Sequence, residues 1–278
     1  MATIKLFLPK GNAKSLRIAE IINWTGKAIA APRTELNELI QRDESKQSGV
    51  YVLFGTDPDT NDPIAYIGEA EVIRDRLKQH QEKDFWSQVI IFVSKDENLT
   101  KAHIRYLEGR IIEEANKEQR VKLTNSQNSN SKLPESDRED MEEFLEKMQQ
   151  LLPVLGSDLL TPILPKDESK SESSYFTYET KGIIAKGKPT TNGFVVFKDS
   201  EATIQEATAT LKSRPNIALS RSKLIEDGKV IKQDNKLVFN TNVEFSSPTA
   251  AASVISGGSI SGLIAWKDSR GKSLKELY

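Results

Sequence analysis

Hydrophobic periodicity along the chain switches between strand-like and helix-like several times, and the switches mark out its elements. Near the start IKLFL (residues 4–8) reads as a strand closed by a Pro9-Lys10-Gly11-Asn12 turn. LRIAEIINW supplies further apolar positions, and KAIAAP reads as a second strand. Residues 32–42 read as a helix with Leu36, Leu39 and Ile40 inward, so residues 1–47 are expected to form a small α/β lead-in. Two apolar runs, VYVLF and PIAYIG, then flank a loop of Gly, Asp, Thr, Asn and Pro, the pattern of a β-hairpin with a longer loop. Folding that loop at its middle sets Tyr51 and Tyr66 opposite each other to within about one residue of register. Residues 69–80 lack Gly and Pro and read as a helix on which Val72, Arg76 and His80 are spaced by four. VIIFV (residues 89–93) has the continuous apolar run of a buried strand. A longer helix follows over residues 100–116, with Ile104, Glu108 and Ile112 in one row and Leu107 and Ile111 alongside.

After residue 125 the sequence becomes polar, NSQNSNSKLPESDRED, as a loop or linker is. An amphipathic helix over residues 138–152 interrupts it, with Phe144, Leu145, Met148, Leu151 and Leu152 on one face and a capping-box pattern at Ser136 and Glu139. It is expected to pack back on the preceding domain or to brace a junction, within a linker spanning 131–174 that a second low-complexity stretch ends near Ser174. From Tyr175 onward short strands and turns recur, with a helix expected over residues 213–227. SSPTAAASVISGG then reads as a cap, an Ala-rich helix and a glycine stop. The pattern predicts an α+β protein: a small mixed or antiparallel sheet flanked by helices over 48–130, and a second small α+β domain over 175–278.

Composition narrows the chemistry. The 278 residues suffice for two domains with real cores. A net charge of −1 supplies no global field to draw the chain to nucleic acid, so any such contact needs a local patch. The absence of cysteine excludes disulfides, thiolate metal sites and cysteine nucleophiles. The N-terminal apolar run is too short for a signal peptide, and no apolar stretch approaches the ~20 residues of a membrane span. The expectation is a soluble, cytoplasmic protein without a membrane partner. Lys5, Lys10, Lys14, Arg17, Lys27 and Arg33 make the lead-in the expected source of a nucleic-acid-facing patch, and Trp24 is read as a packing residue.

The candidate chemistry lies between Gly49 and Asn125. A carboxylate, Glu108, sits on the apolar side of its helix, which is costly unless something positive meets it. Arginine and histidine from one helix, a carboxylate from another and two phenols from a hairpin suit phosphate chemistry through a metal. His103 is expected off the Glu108 face, and Tyr106 in the core.

The order GVY, then YIG, an Arg eight residues after Gly68 and a Glu on a following helix resembles the GIY-YIG endonuclease superfamily. The resemblance places Tyr51 and Tyr66 on its two tyrosines, Arg76 on its arginine, His80 on its frequent histidine and Glu108 on its metal-binding glutamate. Asn125 matches its closing asparagine best, with Asn128 and Asn130 nearby. Valine replaces isoleucine in the first triplet, and Glu69 stands where repair members often carry lysine. Residues 175–278 resemble a C-terminal domain of unknown function (DUF4357-like) that often accompanies such modules in bacterial proteins. SSPTAAASVI…W is also similar to a small domain associated with restriction and methylation enzymes. The resemblance implies a metal-dependent endonuclease acting on DNA and leaving 5′-phosphate ends. Glu108 would hold Mg²⁺ or Mn²⁺, a tyrosine of lowered pKa (Tyr51 or Tyr66) would be the base with His80 assisting, and Arg76 would stabilise the transition state. The rival expectation is a catalytically inactive nucleic-acid-binding or adaptor protein, with the C-terminal domain as recognition module.

Overall fold

A computed structural model describes residues 1–125, 131–164, 175–205 and 215–278. Asn128 and Asn130, the end of the second polar stretch and the first residues of the helix expected from residue 213 lie outside the described residues. The fold is α+β, and the chain divides into two compact units, Met1–Thr161 and Pro162–Tyr278.

The first unit is built on one seven-stranded sheet. Its strands are β1 (Ile4–Phe7), β2 (Arg17–Ile21), β3 (Gly26–Pro32), β4 (Gly49–Thr56), β5 (Pro63–Ala70), β6 (Trp86–Ser94) and β7 (Lys122–Leu123), in the order β1-β2-β3-β6-β4-β5-β7. The expected boundary after residue 47 is therefore absent. β3 pairs along its whole length with β6, from Gly26 opposite Ser94 to Pro32 opposite Gln88, and the lead-in supplies three of the seven strands of the same sheet.

β4 and β6 are central strands, which explains why VYVLF and VIIFV are apolar at successive positions: each alternate residue enters a different core. Val50, Val52, Ile90 and Phe92 face one side, against α3 (Lys101–Glu118) and α4 (Glu135–Val154). Tyr51, Leu53, Val89 and Ile91 face the other, against α1 (Leu36–Gln41) and α2 (Ile73–Gln79). The apolar residues expected of the 138–152 helix are all buried in the first of these cores, so α4 is a layer of the unit rather than part of a linker. Its seam with α3 is polar: Tyr106 Oη donates to Glu142 (2.7 Å), and so does Arg110 Nε (2.6 Å). The expected Ser136 capping box is not formed. The helix starts one turn earlier, after Pro134, and Ser136 Oγ reaches Asp137 instead. Trp24 packs on Phe144 with centroids 4.8 Å apart.

The second unit has two sheets. One contains β8 (Phe176–Thr180), β9 (Ile183–Thr190), β10 (Gly193–Val196) and β14 (Val243–Phe245). The other contains β11 (Glu201–Thr203), β12 (Val230–Gln233) and β13 (Lys236–Phe239). α5 (Pro215–Glu226) turns one residue fully inward, Arg221, whose guanidinium donates to the carbonyls of Val254 and Thr203. α6 (Pro248–Ser256) has the expected ends: Ser247 accepts from Ala250 N (3.1 Å), and Gly257 closes it at φ 66°. Short helices α7 (Gly262–Ala265) and α8 (Leu274–Leu277) complete the unit. Trp266 fills its core against Phe194 and Tyr178, with its indole N–H on the Pro248 carbonyl (3.0 Å). Among the described residues no helix is long and apolar enough to cross a membrane.

Both cores of the first unit draw all their residues from the stretch before Thr161. A protein of residues 1–161 is expected to melt in one cooperative transition with its helix and strand signals intact, read by circular dichroism. A non-cooperative melt would show that it needs the C-terminal unit.

Candidate active site

The β4–β5 register sets the site. Asp57 Oδ1 accepts from the backbone N–H groups of Asp59 and Thr60, and Asn61 takes a positive φ, which fixes a loop from 57 to 62. Thr56 then pairs with Pro63, Leu53 with Tyr66 and Tyr51 with Gly68. The tyrosines are thus two positions apart in register rather than opposite, because the loop turns one residue later than its midpoint suggests. Two is an even number, so both rings remain on one face. They stack with centroids 6.2 Å apart and planes 23° apart.

The residue facing Tyr51 has to be glycine. A Cβ on Gly68 would lie 2.4 Å from the Tyr51 hydroxyl oxygen and from the ring carbon that bears it. The fully buried Tyr51 ring crosses that bare backbone and carries its hydroxyl to α2.

Two residues of the α2 region receive it. The strand runs to Ala70, so the helix expected from residue 69 begins only at Ile73, with Val72 extended before it. Arg76 lies on the helix and His80 is its C-terminal cap. Arg76 Nε donates to Tyr51 Oη (3.3 Å), and Tyr51 Oη lies 2.8 Å from His80 Nε2. The Tyr51 oxygen accepts from Arg76, and the Tyr51–His80 bond joins the phenol to Nε2 with the donor set by the His80 tautomer. The other ring nitrogen, Nδ1, is buried and has no hydrogen-bond partner. The Tyr66 ring also packs on His80, with centroids 5.0 Å apart.

Electrostatics follow from this burial. Desolvation lowers the His80 pKa to about 4, with Lys83 and Arg76 adding to the effect. Desolvation pushes the Tyr51 phenol well above its ordinary value, with Tyr66 adding and Arg76 only partly opposing. The expectation of a lowered tyrosine pKa is corrected for Tyr51: burial outweighs the guanidinium. The Arg76 pKa is raised, first by its hydrogen bond to Tyr51.

The six expected residues do not share one face. Tyr51, Tyr66, Arg76 and His80 meet on the α2 side. Glu108 is half-buried on α3, whose Ile104, Leu107 and Ile111 belong to the core on the opposite side of the sheet. Asn125 lies at the sheet edge: its amide accepts from Ile67 N (3.0 Å) and donates to Ile67 O (2.6 Å), continuing the β5–β7 ladder by one step. Glu69 points to the α3 side and is held by Lys101 (2.8 Å to both oxygens). His103 caps α3 with Thr100 and faces Asp137 (3.5 Å).

Of the six lead-in cations, three are engaged within the unit. Lys10 pairs with Glu35 and Glu38, and Lys27 with Glu20 and Glu44. Arg33 is used on backbone carbonyls. Sequence reasoning passed over Lys83, whose Nζ stands 4.7 Å above the Tyr66 ring. It sits in an unremarkable polar loop, and only the fold brings that loop to the tyrosines. Among the described residues neither Arg76 nor Lys83 pairs with a carboxylate.

Comparison with known proteins informs the second unit. A family model described as "Domain of unknown function (DUF4357)" matches residues 176–278. No curated protein and no solved structure matches the chain.

His80 is expected to titrate near pH 4 by NMR, below its ordinary value of 6.5. Because the folded state binds this proton more weakly than the unfolded chain, His80 contributes stability fully above about pH 6.5 and loses it as pH falls towards 4. The stability of a His80→Gln variant should fall less steeply across that window, measured by denaturant unfolding. Gly68→Ala should destabilise the unit by about 1–3 kcal/mol, the usual range for overpacking. A wild-type melt for that variant would overturn the Tyr51–Gly68 account.

Proposed function

We propose that this protein is a metal-dependent endonuclease of the GIY-YIG type that hydrolyses DNA phosphodiester bonds. The observation that carries the reading is the Arg76–Tyr51–His80 hydrogen-bond chain beside Tyr66, on a face where two cations lack carboxylate partners. Such a face suits an anionic, tetrahedral group.

Tyr51 is the proposed proton acceptor. Its raised pKa means that it works as a relay: as a water oxygen bonds to phosphorus, the water proton passes to Tyr51 Oη while the phenolic proton passes to His80 Nε2. His80, neutral at pH 7, has room for it. The bond from phosphorus to the 3′ oxygen breaks, leaving a 5′-phosphate, and solvent protonates the departing oxygen. Arg76 neutralises charge that grows on the phosphoryl oxygens.

Glu108 is the proposed ligand of Mg²⁺ or Mn²⁺. Among the described residues no group of three or more His, Asp or Glu gathers as an all-protein cage. One carboxylate with water and phosphate oxygens is a donor set that suits Mg²⁺. An ion held there would supply Lewis-acid stabilisation of the leaving oxygen. Because α3 packs across the sheet from the tyrosines, this reading requires the bound strand to reach both Glu108 and the tyrosine face. The second reading, a catalytically inactive nucleic-acid-binding or adaptor protein, draws on the placement of α3 across the sheet from the tyrosines. The C-terminal unit is proposed as a recognition module.

Plasmid nicking with Mg²⁺ separates the two readings. Glu108→Gln should retain the fold and lose divalent-ion-dependent cleavage, and undiminished cleavage at limiting Mg²⁺ would remove Glu108 from the reaction. Arg76→Ala should lower turnover far more than affinity. Arginines aimed at phosphoryl transition states contribute about 10³–10⁵-fold, and the low end is expected where a metal shares the charge. An Arg76→Ala enzyme that weakens binding but turns over normally would make Arg76 a docking residue instead.

A further inference from the structure

The loop between α2 and β6 is held more firmly than its polar sequence requires. Arg33 Nη1 donates to the carbonyls of Lys83 (2.6 Å) and Trp86 (3.2 Å), and its Nη2 to that of Gln81 (2.8 Å). Its guanidinium also lies 4.9 Å above the Trp86 ring. The Trp86 indole N–H in turn donates to the His80 carbonyl (3.0 Å), and Lys83 N donates to the same carbonyl (3.2 Å). One arginine from the far side of the α1 region thus closes the loop on itself and ties it to the end of α2.

The loop's only lysine is the residue whose backbone is fixed most directly. The Lys83 side chain is exposed, and its ammonium stands over Tyr66 rather than against an acid. The neighbouring carboxylate, Asp84, is fully exposed and lies 3.9 Å from Arg33. A lysine over an aromatic ring is common on protein surfaces. Here it is a second cation beside Arg76, both on the tyrosine face and both without a carboxylate partner among the described residues. Two positive charges held on one small face repel each other, and an anion placed between or beside them relieves that repulsion.

We propose that Lys83 is a phosphate-contact residue of the nucleic-acid site, binding a non-scissile phosphate of the strand seated on the tyrosine face, and that Arg33 is the positioning residue that holds it there. This rests on the nucleic-acid reading above. Lys83 would set affinity and the seating of the strand, while Arg76 addresses the reacting phosphate. The lowered His80 pKa agrees with this placement, since Lys83 is close enough to disfavour the imidazolium.

The test is fluorescence anisotropy of a labelled short duplex in EDTA, repeated over a salt series, so that binding is read without cleavage. Removing one phosphate contact should reduce the slope of log affinity against log salt by about 0.9. Lys83→Gln is expected to show that reduction with several-fold weaker binding at low salt, and Lys83→Arg to restore both. If Arg33 acts through Lys83, the Arg33→Met/Lys83→Gln double variant should bind no more weakly than Lys83→Gln alone. Arg33→Lys, which keeps the charge but loses the fork, should give a partial loss and serves if Arg33→Met fails to fold. Wild-type protein that binds and cuts DNA while Lys83→Gln matches it in affinity and slope would overturn this inference alone. A Lys83→Arg protein that behaves like Lys83→Gln would overturn it too, because charge would not be the cause. Additive losses in the double variant would make Arg33 an independent contact and end its positioning role. Wild-type protein that neither binds the duplex in EDTA nor nicks plasmid with Mg²⁺ would overturn the underlying reading and this inference with it.

Discussion

The hydroxyl of Tyr51, lodged between Arg76 and His80 after its ring crosses Gly68, is the contact on which the rest of the first unit's site depends. Each link has a physical cause. The Asp57-anchored loop sets the register, the register puts Gly68 opposite Tyr51, and the missing Cβ lets the ring lie across the strand. A polar group delivered to a buried place requires partners, because an unpaired hydroxyl there costs the full price of its desolvation. Arg76 and His80 meet that need. The ring nitrogen on the far side, His80 Nδ1, has no such partner. The cluster therefore carries a residual polar demand beside the tyrosine face.

Parity along the strands explains both what the sheet gathers and what it separates. Tyr51 and Tyr66 differ in register by an even number of residues, so they share a face. Val50, Val52 and Ile67 alternate with them and draw α3 and α4 to the other side. Glu108 goes where its helix goes. At the outer edge of β5, β7 pairs only with Ile64 and Ala65. Thr124 N then donates to Ala65 O, and Asn125, two positions past Leu123, sets both amide atoms on Ile67. Its clearest role is to finish an edge that would otherwise present an unpaired N–H and C=O. Asparagine can do this because one side chain supplies a donor and an acceptor at nearly peptide spacing.

Much of this was legible in the sequence, and the failures have definite causes. The central strands, the hairpin, α3 and the inward face of α4 followed from periodicity, because burial on that scale leaves a strong pattern. Tyr51, Tyr66, Arg76 and His80 could be grouped because a hairpin and the helix after it are local in sequence. The register slipped by two residues because an Asx-anchored loop turns where its hydrogen bonds close, not at its midpoint. The lead-in was separated from the sheet because β3–β6 pairing is long-range, and composition says nothing of which strand lies beside which. The Ser136 box failed because the helix begins at Glu135, which puts Ser136 inside its first turn rather than at the cap. The contact between Arg33 and the Lys83 loop left no signal: fifty residues apart, the two meet only through backbone carbonyls, which every residue possesses.

Charge makes the same point about locality. Counting lysines along residues 1–47 suggests a basic surface, yet part of that charge is spent within the unit. Lys10 and Lys27 each face two glutamates, and the Glu44 carboxyl is held down to about 2 by Arg42 and Lys27 in spite of its desolvation. Arg76 and Lys83 are less conspicuous in the sequence but have no carboxylate to neutralise them among the described residues. For a chain of net charge −1, attraction to a polyanion cannot come from the long-range field, which salt screens within about 10 Å at 0.1 M. It has to come from cations left uncompensated at short range, beside groups with another use for an anion. On the first unit the Tyr51–Tyr66 face sets Arg76 and Lys83 beside such groups, whereas Lys10 and Lys27 of the lead-in are compensated by glutamates.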